Sequence, residues 1–111
     1  KLPTVSIVVP NQNNDMHDGS VSTGDTWLKN KMDKYIQWAK THNSLFILTF
    51  DEDDDNHNNQ ITTIFTGPMV KSGQNATQIN HYNVLRTIEN LYGINYTGKA
   101  STSACITNCW K

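Results

Sequence analysis

The chain has 111 residues, of which 36% are hydrophobic and 17% charged, and its net charge is −1. That length suffices for one domain with a core, since a chain of this size buries somewhat over ~60% of its unfolded surface. The near-neutral balance lacks the basic footprint of a nucleic-acid binder, and no apolar run approaches the ~20 residues of a membrane span.

Residues 5–9, Val5-Ser6-Ile7-Val8-Val9, are β-branched and apolar and lie between Pro3 and Pro10. They read as a short buried strand. The chain opens on Lys1 and enters this strand almost at once, without a signal peptide. This predicts a processed chain, or one that continues upstream.

Residues 11–20, Asn11-Gln12-Asn13-Asn14-Asp15-Met16-His17-Asp18-Gly19-Ser20, show no periodicity and are dense in ligand-type side chains. Asn, Asp and Gly are common turn residues, so a solvated turn is one reading. A site loop at a strand's C-terminal end is the other, with Asp15 and His17 as metal or phosphate contacts.

A helix is expected over 26–41. Leu28, Met32, Tyr35, Ile36 and Ala39 fall on one face, with Lys29, Lys31, Lys34 and Lys40 off it. Thr23 or Asp25 is the expected N-cap. Trp27 and Trp38 are expected to be partly buried packing residues, with sugar stacking the alternative.

The next stretch, Ser44-Leu45-Phe46-Ile47-Leu48-Thr49-Phe50, runs directly into Asp51-Glu52-Asp53-Asp54-Asp55. Its continuous apolar character suits a central parallel strand covered on both faces. Ligands of open α/β sheets bind at the C-terminal ends of such strands. From the residues alone the acidic turn reads equally as a solvated loop or as a metal-ligating turn. A calcium loop of the helix-loop-helix type is excluded: Asn56 stands where that loop requires Gly, and no helix precedes it.

Residues 61–66 form a further expected strand, which 69–71 extend after Gly67-Pro68. Val84, Leu85, Ile88, Leu91 and Tyr92 then mark a second helix, with Asn80 as N-cap and Gly93 ending it. His81 falls in its first turn, either as a capping or surface histidine or as a metal ligand. In the tail, Cys105 and Cys109 are spaced for a small disulfide loop, with two free thiols the alternative. With the sequons at Asn75 and Asn95, the cysteines lean toward a secreted or periplasmic protein.

Alternating strands and helices predict an α/β fold with a mostly parallel sheet flanked by helices, in one segment over 1–111. Only about three strands appear, which points to an incomplete chain. Three segments carry a resemblance. The first is Val8-Val9-Pro10-Asn11 with Asn14-Asp15-Met16-His17-Asp18-Gly19. The second runs from Trp38-Ala39-Lys40 through Leu48-Thr49-Phe50-Asp51-Glu52-Asp53-Asp54 to Gly67-Pro68. The third is Asn80-His81-Tyr82-Asn83-Val84-Leu85-Arg86-Thr87-Ile88-Glu89 with Leu91-Tyr92-Gly93. In these the chain resembles the C-terminal part of the phosphoesterase family of acid phosphatases and phospholipase C-type enzymes, within the alkaline phosphatase superfamily.

The resemblance implies an alkaline-phosphatase-like fold and a divalent metal cofactor, with Asp51 and Glu52 as metal ligands and His81 as a third. It implies His17 near the phosphate, with Asp15 beside it, as the catalytic pair. Three carboxylates from Asp53 to Asp55 are too many for one ion, so some are solvated or strengthen the local negative field. The implied reaction is hydrolysis of a phosphate ester, an acid phosphatase reaction first. A phospholipase C-like phosphodiesterase or a non-catalytic module that keeps the fold are the alternatives. The family's hydroxyl nucleophile and its further metal ligands lie upstream of this region. No nucleophile is therefore assigned among Ser20, Ser22, Thr23 and Thr26, and the remainder of the polypeptide is the expected partner.

Overall fold

The computed structural model describes residues 2–111; Lys1, where the expected 1–111 segment begins, lies outside them. Backbone contacts divide the chain into two units, the first ending at Pro68 and the second spanning Met69–Lys111.

In the first unit, the helix α1 spans Val21–Ala39 and is capped by Ser20, whose Oγ accepts the Thr23 N–H at 3.2 Å. It begins ahead of the expected start. Its first turn carries Gly24 and only Val21 as a large apolar residue, so hydrophobic periodicity does not register it. The expected apolar face holds: Ala39 is buried and Leu28, Met32, Tyr35 and Ile36 are half-buried, while the four lysines are exposed. The Tyr35 ring lies 6.3 Å from that of Phe46 and seats the helix against the strand that follows. Trp27 is half-buried, whereas Trp38 is 46% exposed and stacks on His42 at 4.2 Å. The His42 Nδ1–H donates to the Trp38 carbonyl at 2.8 Å, satisfying one of the helix's last acceptors.

Strand β1 (Phe46–Thr49) pairs antiparallel with β2 (Thr63–Thr66), with Phe46 opposite Thr66 and Thr49 opposite Thr63. The two threonine hydroxyls close the pair at 3.2 Å. The expected mostly parallel sheet is not seen among the described residues: this two-stranded pair is the whole sheet. The reason lies in the connection. A parallel pair requires a crossover, usually helical, whereas the acidic loop returns β2 alongside β1 directly.

Residues 5–9 are not a strand, which corrects the expectation. Ile7 is 87% exposed and Val9 79%. Extended backbone becomes a strand only when another strand takes its hydrogen bonds, and consecutive apolar residues need cover on both faces. No described residue supplies either here.

The second unit is held by a bridge between Val70 and Trp110. It is flanked by Lys71 N–H to the Cys109 carbonyl at 2.8 Å and Lys111 N–H to the Met69 carbonyl at 2.9 Å. Helix α2 spans His81–Leu91. Asn80 is its N-cap as expected, in a reciprocal capping box with Asn83. Gly93, at φ 61°, ends it in the left-handed conformation that glycine adopts without steric cost.

The expected apolar face of α2 is only partly covered. Val84 and Ile88 are half-buried, but Leu91 and Tyr92 are each 51% exposed. The buried positions are polar: Thr87 and Glu89. Thr87 Oγ1 donates to the Asn83 carbonyl at 2.7 Å and accepts the Ile106 N–H at 2.9 Å. Glu89 Oε1 accepts from Thr97 N–H at 3.0 Å and from its hydroxyl at 2.6 Å. Arg86 Nη1 donates to the carbonyls of Ala100 and Ser101 in the short 3-10 helix Gly98–Thr102, and its guanidinium lies 3.3 Å over the Tyr96 ring. Side-chain hydrogen bonds thus do in this unit what apolar packing does in α1. Cys105 and Cys109 are free thiols in the structure, so the expected disulfide is not formed. Among the described residues no helix is long and apolar enough to cross a membrane.

Candidate functional site

Two polar loops of the first unit carry candidate site residues. The loop 11–20 is built by short backbone bonds: Asn14 N–H and Asp15 N–H both donate to the Asn11 carbonyl, at 2.8 and 3.0 Å. Asp18 N–H donates to the Gln12 carbonyl at 2.9 Å and brings the loop back on itself. Asp15 Oδ1 accepts the His17 N–H at 2.9 Å, a side-chain turn of the kind Asp favours.

Two glycines make this packing feasible. A Cβ on Gly19 would stand 1.9 Å from the Asn13 carbonyl oxygen, and one on Gly24 would stand 2.5 Å from Met16 Cε. Gly24 therefore lets the loop lie directly on α1, with Met16, at φ 80°, set into that contact. His17 follows immediately and is exposed.

His17 Nδ1 lies 2.9 Å from Asp18 Oδ1. The hydrogen bond to Asp18 and its charge hold the imidazole above its ordinary value of 6.5, against some desolvation, and the carboxylates of Asp15 and Glu52 add to the rise.

The second loop follows β1. Asp51 and Glu52 are exposed at its C-terminal end and line an open concavity with Asp53, Asp55, Asn56, Asn58 and Asn59. Each lining side chain is a carboxylate or a carboxamide. These are the hard oxygen donors that divalent cations such as Mg²⁺ or Ca²⁺ take, so the donor chemistry fits the implied metal.

Asp53 has a different task. Its carboxylate accepts three backbone N–H groups, Asp55 at 2.8 Å, His57 at 2.7 Å and Asn59 at 2.9 Å. Desolvation pushes this carboxyl up, but the three bonds together outweigh it and hold it below 3.8. This knot accommodates Asp55, Asn58 and Asn59 at positive φ, a conformation that Asn and Asp tolerate better than most residues. Beside it, His57 Nδ1 sits 2.6 Å from Asp54 Oδ1. Their hydrogen bond and opposite charges raise His57 and lower Asp54. Asp53, Asp54 and His57 each offer one ligand atom within 4.8 Å of the others. Since Asp53's oxygens already serve three N–H groups, this trio reads first as the brace of the turn.

The structure thus places His17, Asp15, Asp51 and Glu52 in the first unit, and His81 as the first residue of α2 in the second, exposed. Sequence reasoning did not single out Asp18, the hydrogen-bond partner of His17, or the bracing role of Asp53. The signal for the second was present: Asp followed two residues later by another turn former is the spacing of a side-chain-to-backbone turn.

Comparison with known proteins places these loops in context. Residues 1–95 match the sequence pattern described as the phosphoesterase family. A phosphatidylinositol-3-phosphatase of Mycobacterium tuberculosis is 51% identical over 98% of this chain and 36% of its own length. An acid phosphatase of Aspergillus fumigatus is 29% identical over 96% of the chain and 25% of its own. A phosphate-repressible acid phosphatase of Penicillium chrysogenum is 25% identical over 88% of the chain and 25% of its own. The chain therefore spans between a quarter and just over a third of the curated relatives it matches. No solved structure matches it.

Proposed function

The chain belongs to the phosphoesterase family, and from that premise we propose that it forms the metal- and phosphate-handling part of a phosphomonoesterase. The observation that carries this reading is the concavity at the end of β1, lined only by carboxylates and carboxamides with Asp51 and Glu52 among them, within the stretch that matches the family. The relatives reported above bear the names of phosphatases, which favours monoester over diester hydrolysis.

In this reading Asp51 and Glu52 would hold a divalent cation. A bound cation there supplies charge neutralisation and polarises a phosphoryl oxygen. The protein's own groups do the rest. Protonated His17 binds a phosphate oxygen or donates its proton to the leaving oxygen, and Asp15 fixes the backbone that carries it. Its acidic neighbours, Asp18 first, favour the protonated imidazole, so His17 holds its proton more firmly than an isolated histidine does. This suits an acid phosphatase.

Ser20 and Thr23 are occupied with each other at the start of α1, their hydroxyls 3.0 Å apart, and neither is offered as the nucleophile. The attacking hydroxyl comes from sequence outside this stretch, as does the rest of a mostly parallel sheet. A secreted or periplasmic location belongs to the same reading.

The test is hydrolysis of p-nitrophenyl phosphate by the protein that carries this chain, with a phosphatidylinositol 3-phosphate and a bis-p-nitrophenyl diester assayed beside it. Asp51→Asn and His17→Ala each lower the monoester rate by at least about tenfold, on the scale at which acid–base and metal groups contribute. Wild-type rates in both variants overturn the reading. Preference for the diester moves it to the phospholipase C-like alternative.

A further inference from the structure

The loop 11–20 holds a residue with no role in the reading so far. Asp18 follows His17, and its carboxylate meets the imidazole at Nδ1, 2.9 Å away. Both side chains are well exposed, at 66% for His17 and 62% for Asp18. An exposed pair between neighbours ordinarily competes poorly with water, because two free side chains must be ordered to make it. Here the backbone beneath both is already fixed. The His17 N–H is held by Asp15 Oδ1 at 2.9 Å, and the Asp18 N–H by the Gln12 carbonyl at 2.9 Å. Gly19 lies close against the Asn13 backbone, and Gly24 against Met16, so the loop is closely packed on either side of the pair. The other ring nitrogen of His17, Nε2, makes no hydrogen bond to any described residue.

We propose that Asp18 is a positioning residue for the reaction: it holds Nδ1 of His17 so that Nε2 is the atom offered to the substrate. This rests on the reading of His17 given above. A carboxylate can only accept, so it fixes the neutral ring in the Nδ1–H tautomer. In the protonated ring, Nε2 then carries the second proton. As the ester P–O bond breaks, its electron pair goes to the leaving oxygen, which takes that proton from Nε2. The phosphoryl group passes to the attacking oxygen. The ring is left neutral, with Nδ1–H still on Asp18, and regains its Nε2 proton from solvent. The titratable groups that bear on His17 are Asp18, Asp15 and Glu52, all acidic. Removing Asp18 takes away the one of the three that touches the ring.

Three variants in the whole protein, read by rate and by imidazole ¹⁵N NMR, test this. In Asp18→Ala the neutral ring leaves the Nδ1–H tautomer, and the alkaline limb of the kcat/KM profile moves to lower pH. The rate falls roughly tenfold to a hundredfold, part of the 10²–10⁴ that a positioned acid contributes. The loss falls on kcat more than on KM. Asp18→Asn keeps an accepting oxygen but not the charge, so the tautomer is retained while the limb still moves. His17→Ala separates the two ideas. A wild-type rate there overturns the catalytic reading of His17 and Asp18's role with it. A reduced rate in His17→Ala, with tautomer and limb both unmoved in Asp18→Ala, overturns the Asp18 proposal alone.

Discussion

The closest backbone approach in the candidate site gives the most demanding prediction. A Cβ at Gly19 would stand 1.9 Å from the Asn13 carbonyl oxygen and 2.9 Å from its carbonyl carbon. Ordinary contact between such atoms begins more than 1 Å farther out, at about 3.4 Å or beyond. Both obstacles are backbone, so no rotamer change relieves them. Gly19→Ala must open the loop by about 1.5 Å to restore ordinary contact, which strains the Asp18 N–H bond to Gln12, 2.9 Å in the native loop. Overpacking costs roughly 1–3 kcal/mol and one lost hydrogen bond roughly 1 more, giving ~2–4 kcal/mol. At several degrees per kcal/mol for a domain of this size, Tm falls by roughly 10–20 °C. His17 is two residues away, and a misplacement of about 1 Å at a reacting group costs on the order of 10² in rate.

Thermal unfolding by circular dichroism reads the first effect, and p-nitrophenyl phosphate hydrolysis well below Tm reads the second. Gly93→Ala is the control. Its Cβ meets nothing within 4 Å, but φ is +61°, so it costs about 1–2 kcal/mol of backbone strain and leaves the loop untouched. An unchanged Tm and rate in Gly19→Ala would refute the argument that Gly19 is required by close approach.

Other consequences can be checked alongside. Thr97→Val removes the hydroxyl that donates to buried Glu89 at 2.6 Å, and should cost ~1–3 kcal/mol in thermal unfolding, with faster hydrogen exchange over 94–97. The Asp54–His57 pair should stabilise the acidic loop in a defined pH window. His57 is raised, so its contribution is complete below 6.5 and is lost as pH rises through its folded value; Asp54 is lowered, so its contribution is complete above 3.8 and is lost as pH falls through its folded value. NMR titration of His57 should show a midpoint above 6.5 that returns toward it in Asp54→Asn; no movement would contradict the pair. Asp53→Ala should unpin three backbone N–H groups, seen as loss of exchange protection at Asp55, His57 and Asn59 with β1 intact.

Much of this arrangement was legible in the residues. The apolar stripe of α1, the Asn80 cap and the Gly93 stop are local signals, and each acts where its chemistry indicates. The Asp-Met-His-Asp loop and the strand running into acids were recognisable because site loops concentrate unusual residues. The misses have a common physical origin in long-range partners. Residues 5–9 have the composition of a strand, but composition does not provide the edge that would pair with them. Continuous apolar character at 45–48 predicts a parallel strand, yet β1 is half-buried and its described neighbour is the antiparallel β2. In α2, periodicity pointed to Leu91 and Tyr92, while the buried positions, Thr87 and Glu89, are decided by donors at Ile106 and Thr97. Those pairings lie outside any helical repeat. In the sequence Asp53 is one of three surplus carboxylates, because a charge run does not announce which member bonds the backbone.

The central claim is that this chain carries the metal- and phosphate-handling part of a phosphomonoesterase. The most direct measurement is p-nitrophenyl phosphate hydrolysis by the protein carrying it, before chelation, after chelation and after divalent metal is restored, in wild type and in Asp51→Asn. The account predicts that chelation abolishes the wild-type rate and that metal restores it, while Asp51→Asn recovers poorly and only at higher metal concentration. A wild-type rate that survives complete chelation, together with full activity in Asp51→Asn, would contradict it.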